Sequence, residues 1–344
     1  MVLLYDSVAP RFLKSFGGAI EFVPTIYNPI PVREYYTTSA VTSSAIASIF
    51  TGKYPEEVGV LRHLEDRLPL GEPVLGEYLS VGGYSTALIT SNLNSVYRMI
   101  RVDRGFDLVH DSGTSWDSPV IPLDLHSITG NLKEPWFVFM HTLCTHIPYG
   151  NRATFDASKY SIYDLKGLYM RRLAETSARS IAPALEFASH NNCTTFVLSD
   201  HGEQIEVDPR GTVTVRHSWI GSDLNVAAAT CIIVPRPGSW DELSKVSSVP
   251  GIHSSIDICP SILRLAGTPI PDRVSGTVIW EGGHREVTCI SDLCVDNRKM
   301  RIFPGGKFEV KLGDVAYKIG RSVISGPGKE YILERMKGLG YGSR

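Results

Sequence analysis

Five polar side chains stand where short apolar runs end or helical stretches begin, and their types suit metal-assisted group transfer. Asp6 follows Val2-Leu3-Leu4-Tyr5, and Thr42 lies in the polar run 37–44. His146 lies beyond the apolar run 136–141, and the pair Asp200-His201 follows Phe196-Val197-Leu198. A carboxylate and an imidazole at one strand end supply the mixture of oxygen and nitrogen donors that suits zinc or manganese. A threonine hydroxyl is a poor nucleophile at neutral pH, and coordination to a divalent cation lowers its pKa so that it can attack. Gly202, directly after the pair, permits a close backbone approach. Each residue also has a plainer role. Asp6 or Thr42 can cap a helix, His146 can be an ordinary loop residue before Ile147-Pro148, and Asp200-His201 can be a structural pair.

The elements that must position these residues show in the hydropathy pattern. Apolar runs rich in β-formers occur at 2–5, 85–90, 136–141, 194–198 and 230–234, with helix-like stretches at 43–50, 74–80, 165–190 and 255–266. That alternation predicts an α/β fold with a doubly wound, mostly parallel sheet. In such sheets ligands collect outside the carboxyl ends of the strands, where Asp6, His141, His146 and the 199–203 stretch fall. His141 itself reads as a buried or loop-orienting residue. Pro183 predicts a kink or division of the long helical stretch, and 143–165 reads as an active-site or surface loop. Beyond about residue 280 the texture changes to short strand-like pieces with turns such as Pro304-Gly305-Gly306, then a last helix near 329–336. The chain therefore divides into a catalytic domain over 1–280 and a small C-terminal α+β subdomain over 281–344.

Composition narrows the function classes. With 344 residues, 43% hydrophobic and 20% charged, the chain can bury a real core and is not of a disordered type. Its 34 Lys+Arg against 36 Asp+Glu leave a net charge of −2, which argues against binding nucleic acid by bulk charge. No apolar run reaches the ~18 residues of a membrane span. The six cysteines form no C-x-x-C pair and read as core thiols, with no disulfide framework. Met1 leads straight into an apolar run without a basic leader. The expectation is a cytoplasmic protein that acts on a small molecule or headgroup-type anionic ester and engages neither nucleic acid nor membrane. A homo-oligomer is compatible with all of this.

The stretch from Val41, including Ala47-Ser48-Ile49-Phe50-Thr51-Gly52-Lys53-Tyr54-Pro55 and then Val58-Gly59-Val60, resembles the nucleophile region of the alkaline phosphatase superfamily, in its sulfatase and phosphoethanolamine-transferase branch. Further likenesses are Gly83-Tyr84-Ser85-Thr86-Ala87, Asp103-Arg104-Gly105-Phe106-Asp107, 137–149, 199–203 and the stretch 256–267. Together they cover roughly residues 1–280. The resemblance implies an alkaline phosphatase-like fold and a metal-activated side chain that attacks phosphorus or sulfur in line. It makes Asp6, Thr42, Asp200 and His201 metal ligands and Thr42 the nucleophile. It makes His146 and His217 residues facing the transferred group, with His217 also able to protonate the leaving group.

Departures from the family pattern refine this. Formylglycine sulfatases carry Cys or Ser followed by x-Pro-x-Arg, where this chain has Thr42, Ser44 and Ile46. Threonine cannot become formylglycine, so the expected activity is hydrolysis of phosphate mono- or diesters through a covalent intermediate on Thr42. A sulfatase and a phosphotransferase are the enzyme alternatives, and a non-catalytic binding module would have no need for all six matching residues. Two-metal phosphodiesterases carry D-x-x-x-H where Thr142-Leu143-Cys144-Thr145-His146 stands, so one divalent metal is expected, zinc or manganese ahead of calcium or magnesium. Arg62 and His63 stand near the place where relatives put an Asn on the transferred group. With Arg216 and Asn92 they complete the candidate substrate-binding set.

Overall fold

The computed structural model describes residues 1–113, 124–149, 159–207, 213–217, 224–291 and 298–312. The expected closing helix near 329–336 and Cys294 lie outside the described residues. The strands are β1 (Val2–Tyr5), β2 (Ile30–Pro31), β3 (Tyr35–Tyr36), β4 (Ser85–Thr90), β5 (Leu108–Asp111), β6 (Trp136–Thr142) and β7 (Thr195–Leu198), followed by β8 (Gln204–Val207), β9 (Val213–Arg216), β10 (Cys231–Val234), β11 (His253–Ser254), β12 (Val287–Ile290), β13 (Arg298–Phe303) and β14 (Lys307–Leu312).

Seven of them form one sheet in the order β2-β10-β7-β1-β6-β4-β5. β7, β1, β6, β4 and β5 run parallel, whereas β10 is antiparallel to β7 and β2 antiparallel to β10. β1 is central and wholly buried. Strand side chains alternate between faces, so Val2 and Leu4 join one core with Ile46, Phe50 and Leu263, while Leu3 and Tyr5 join the other with Leu173 and Leu185. Both faces are covered by helices, which is why the strand reads as a continuous apolar run. Each such side chain removed from water contributes about 1.5–3 kcal/mol. The helices Thr42–Thr51, Leu75–Val81 and Ile258–Leu265 cover the first face, and Ile162–Thr176 with Ala182–His190 cover the second.

Pro183 divides the 165–190 stretch by an unexpected route. The chain widens into a π-turn over Ser177–Ile181 that runs directly into Ala182–His190, with Pro183 at the second position of that helix. The described part of the C-terminal stretch is a three-stranded antiparallel sheet, β12-β13-β14. It is joined to the main unit by two backbone bonds, Ala40 N–H to Ile290 O and Ile290 N–H to Thr38 O, each 2.9 Å. Those bonds fix the segment leading into Thr42. No helix among the described residues is long and apolar enough to cross a membrane.

Candidate active site

β1 and β7 are neighbours, with Leu4 beside Leu198. Residues that follow them therefore emerge side by side at the carboxyl edge of the sheet, and these are Asp6 on one strand and Asp200-His201 on the other. Ser7 adopts φ 58°, an uncommon conformation for a non-glycine residue. The turn aims its N–H at Asp200 Oδ1 (3.1 Å) and lets its hydroxyl donate to Asp6 Oδ1 (2.7 Å). Tyr169, from the helix on the far face, donates to Ser7 O at 2.7 Å and holds the turn in place. Gly202 is required next to His201: a Cβ there would lie 2.2 Å from Asn225 O and 2.4 Å from Ala228 O. The close approach expected of this glycine is thus to the chain's own backbone.

Thr42 opens a ten-residue helix that is buried throughout. Val41, not Thr42, is the capping residue, and the Thr42 hydroxyl instead donates to Asp6 Oδ2 at 3.3 Å. Asp6, Asp200 and His201 bring one ligand atom each to within 4.8 Å of one another. Asp200 Oδ2 and His201 Nε2 are buried and lie 3.3 Å apart, neither of them in a hydrogen bond. Buried polar atoms are ordinarily hydrogen-bonded, so a carboxylate oxygen and an imidazole nitrogen left side by side without one fit a shared cation. The Asp200 and His201 orientations are fixed from behind: His201 N–H donates to Asp200 Oδ1 at 2.9 Å, and His201 Nδ1 lies 2.9 Å from Gly202 O. Two carboxylates, an imidazole and the adjoining hydroxyl make a four-donor set suited to one divalent ion.

Two further imidazoles, His146 and His217, gather beside these donors. The His201 and His217 rings stack at 4.9 Å and 19°, and His146 meets His217 edge-on at 4.7 Å. Burial raises the Asp6 carboxyl pKa, but His146, His201, His217 and the Ser7 hydroxyl outweigh it, so the net shift is downward. Burial opposes a charge on His201, and Asp200 with Asp6 overcomes it, raising that pKa. Burial and the neighbouring imidazoles hold His217 well below its ordinary value. Glu203 is pushed up to about 7 by burial. His63, whose Nδ1 lies 2.9 Å from Ser43 Oγ, is held down to about 3 by burial and the nearby imidazoles. It is therefore neutral beside the start of the Thr42 helix.

The structure thus brings together Asp6, Thr42, Asp200, His201, His146, His217 and His63. Arg62 is committed elsewhere: its guanidinium pairs with Glu65 at 2.9 Å and with Asp66, whose carboxylate also takes the Leu61 and Arg62 N–H groups. These ion pairs set the direction of the Arg62 side chain, which stays partly exposed. Asn92 caps the turn over Leu93–Tyr97 and accepts from the Ser95 hydroxyl, a local use of its side chain. Arg216 lies in β9, and its side chain is outside the described residues. His141 is buried with both ring nitrogens unpartnered, its Nε2 3.9 Å from Asp6 Oδ2, and burial lowers its pKa to about 4.

Glu203 and Tyr149 are site residues that motif reading passed over. The Tyr149 hydroxyl donates to Glu203 Oε2 at 2.7 Å, and Glu203 Oε1 faces His217 Nδ1 at 3.2 Å. A glutamate with no lysine or arginine next to it in sequence, directly after Asp200-His201-Gly202, was the available signal. The Asp103–Asp107 likeness, by contrast, is scaffold. Arg104 donates to the carbonyls of Leu70 and Glu72, and Asp107 accepts from Thr86 N–H.

The sulfatase family model matches residues 1–268. The chain belongs to the sulfatase family. Among solved structures it is similar to the 2-O GAG sulfatase BT1596, with TM-score 0.63 and 13% identity over 98% of this chain and 90% of that one. It is equally similar to the phosphonate monoester hydrolase of Agrobacterium radiobacter, with TM-score 0.63 and 14% identity over 98% and 95%. The C-terminal periplasmic domain of EptC from Escherichia coli, in complex with Zn, matches with TM-score 0.62 and 14% identity over 83% and 88%. At these identities the likeness shows a shared fold. No curated protein matches the sequence.

Proposed function

We propose that this sulfatase-family protein is a metal-dependent hydrolase of phosphate esters that works through a covalent intermediate on Thr42. The observation that carries the reading is the Thr42 hydroxyl, buried at the start of its helix and donating to Asp6 within the Asp6, Asp200 and His201 donor set. A threonine there supports phosphoryl over sulfuryl chemistry, because formylglycine cannot be made from it. The donor set supports one divalent ion, zinc or manganese, and a Zn complex of a fold relative agrees with it. When bound, such an ion lowers the hydroxyl pKa and offsets charge on the transferred group.

The chain's own residues do the rest. Asp6 Oδ2 accepts the Thr42 hydrogen bond, orients Oγ1 for in-line attack and passes its proton on to solvent, and the bond to the leaving oxygen, which takes a proton from solvent, breaks as the bond from phosphorus to Oγ1 forms. His63 is placed to donate to an oxygen of the transferred group. His146 and His217 flank the same space, where their ring N–H groups are placed to donate hydrogen bonds to oxygens of the transferred group. Water then releases phosphate and restores Thr42. With an alcohol in place of water the same residues would run a transfer, and the fold likeness to EptC supports that second reading. The substrate is a small or headgroup-type anionic ester. The cytoplasm is the proposed compartment, supported by Cys144, Cys193, Cys231, Cys259 and Cys289 being free thiols.

The test is metal analysis of the purified protein with turnover of an aryl phosphate, a bis-aryl phosphate and an aryl sulfate by wild type and Thr42→Ala. One metal per chain and phosphate-ester turnover lost in Thr42→Ala are expected. Sulfate turnover above phosphate turnover overturns the substrate class, and two stoichiometric metals overturn the single site.

A further inference from the structure

We infer that Ser7 is a positioning residue that sets the metal selectivity of the site. It holds one oxygen of Asp6 and one of Asp200, so that each carboxylate offers a single oxygen and the donor set takes zinc in preference to calcium. The inference rests on the metal-dependent reading above and narrows the choice of ion that reading leaves open.

The arrangement begins with the backbone. Ser7 is fully buried just beyond β1, and its φ of 58° lies in the left-handed region, which residues other than glycine hold only where the surroundings over-determine it. The surroundings do so here. The Tyr169 hydroxyl donates to Ser7 O at 2.7 Å and accepts from Ala9 N–H at 2.9 Å, while the Thr145 hydroxyl donates to Asp6 O at 2.5 Å. The turn sends the two donors of one residue to carboxylates that follow two different strands. Ser7 N–H donates to Asp200 Oδ1 at 3.1 Å, and the Ser7 hydroxyl donates to Asp6 Oδ1 at 2.7 Å. His201 N–H adds a second bond to Asp200 Oδ1, at 2.9 Å.

Both Oδ1 atoms are thereby occupied, and the Oδ2 atoms face the site. Asp6 Oδ2 meets the Thr42 hydroxyl at 3.3 Å, and Asp200 Oδ2 lies 3.3 Å from His201 Nε2 without a hydrogen bond. A hydrogen bond to one oxygen of a ligand carboxylate orients the other toward the ion. These residues then present two carboxylate oxygens, one imidazole nitrogen and one hydroxyl. Zinc takes nitrogen and oxygen ligands together and is satisfied by about four. Calcium takes ~6–8 oxygens and gathers them in part through bidentate carboxylates. From this set it would draw only oxygens and leave the imidazole unused, and the two oxygens that would raise its count are tied to Ser7. Selection therefore acts through the second oxygen of each carboxylate, which is the atom Ser7 controls.

The experiment uses the full chain, stripped of metal with a chelator, as wild type, Ser7→Gly and Tyr169→Phe, and measures Kd for zinc and for calcium by titration calorimetry, each ion alone. Glycine adopts φ 58° without strain, so Ser7→Gly removes the hydroxyl bond to Asp6 and keeps the N–H bond to Asp200. Losing a hydrogen-bonding partner behind a metal ligand costs about 10–100-fold in affinity. Wild type is expected to bind zinc more tightly than calcium. Ser7→Gly is expected to weaken zinc by about tenfold or more, while calcium, which gains the freed Asp6 oxygen, stays within about threefold of wild type or tightens. Tyr169→Phe loosens the turn and leaves the hydroxyl in place; it is expected to narrow the preference for zinc by a smaller factor, and it carries the test alone if Ser7→Gly does not fold. A merely structural Ser7 weakens both ions equally. Equal losses for the two ions, no change in either Kd, or wild type binding calcium as tightly as zinc would each overturn the proposal. Wild type binding neither ion would instead overturn the metal-dependent reading, and the proposal with it.

Discussion

Replacing Gly202 by alanine adds one methyl group at the point where the site is tightest. Its Cβ would stand 2.2 Å from Asn225 O, 2.4 Å from Ala228 O and 3.2 Å from Val226 O, all backbone atoms. Non-bonded heavy atoms settle at about 3.5–4.0 Å, so the two segments must part by about 1 Å or more. The Gly202 N–H bond to Val226 O, 2.8 Å, stretches with them. Overpacking of this kind costs about 1–3 kcal/mol, which for a chain of this size lowers Tm by about 1–2 °C per kcal/mol. His201 precedes Gly202 and Glu203 follows it, so the displacement reaches a donor atom and the anchor of His217 directly. Misplacing reacting groups by about 1 Å costs about 100-fold in rate. Gly59→Ala is the control, because Gly59 has φ +73° with no atom within 4 Å of an added Cβ and so loses stability by backbone strain alone. Differential scanning fluorimetry and aryl phosphate turnover on both variants are the assay. Comparable Tm losses with activity lost only in Gly202→Ala are expected, and activity in Gly202→Ala within about threefold of wild type would refute the reasoning.

Two further outcomes follow from named contacts. Burial opposes a charge on His284, but its 2.7 Å bond to Asp257 outweighs that and raises its pKa; its stabilising contribution is therefore complete below the unfolded value near ~6.5 and is lost as pH rises through the folded value. Thermal melts from pH 5 to 9 are expected to show wild type losing its margin over His284→Gln as pH rises, and parallel curves would contradict this. Arg62→Gln is expected to keep turnover within about twofold, because its guanidinium is spent on Glu65 and Asp66 in a partly exposed network of small energetic worth, whereas His63→Ala loses about tenfold. Steady-state kinetics on the pair checks it, and the reverse order would restore Arg62 to the substrate.

How much of this was legible in the sequence depended on range. Asp6, Thr42 and the Asp200-His201 pair could be picked out because each follows an apolar run or opens a helix, and strand ends are where α/β sheets place chemistry. That Asp6 meets Asp200 needed the order of strands: β1 and β7 are adjacent in space while 194 positions apart, and no local periodicity encodes that adjacency. The run 230–234 was legible as a strand but not in its direction. The chain leaves β7 through the β8–β9 hairpin, and β10 returns antiparallel. The ion pairs of Arg62 were legible in its neighbours, since acids three and four positions away on one turn draw in a guanidinium. Glu203 was missed for a different reason. Its partner lies 14 residues on, and only the hairpin register brings them together.

The central claim is that Thr42 carries the transferred group. Wild type and Thr42→Ala, mixed with a bis-aryl phosphate and quenched in acid during turnover, can be digested and analysed by peptide mass spectrometry. The account predicts a phosphoryl or aryl-phosphoryl adduct on the peptide containing Thr42 in wild type, and neither adduct nor turnover in Thr42→Ala. An adduct on another residue, or undiminished turnover by Thr42→Ala, would contradict it.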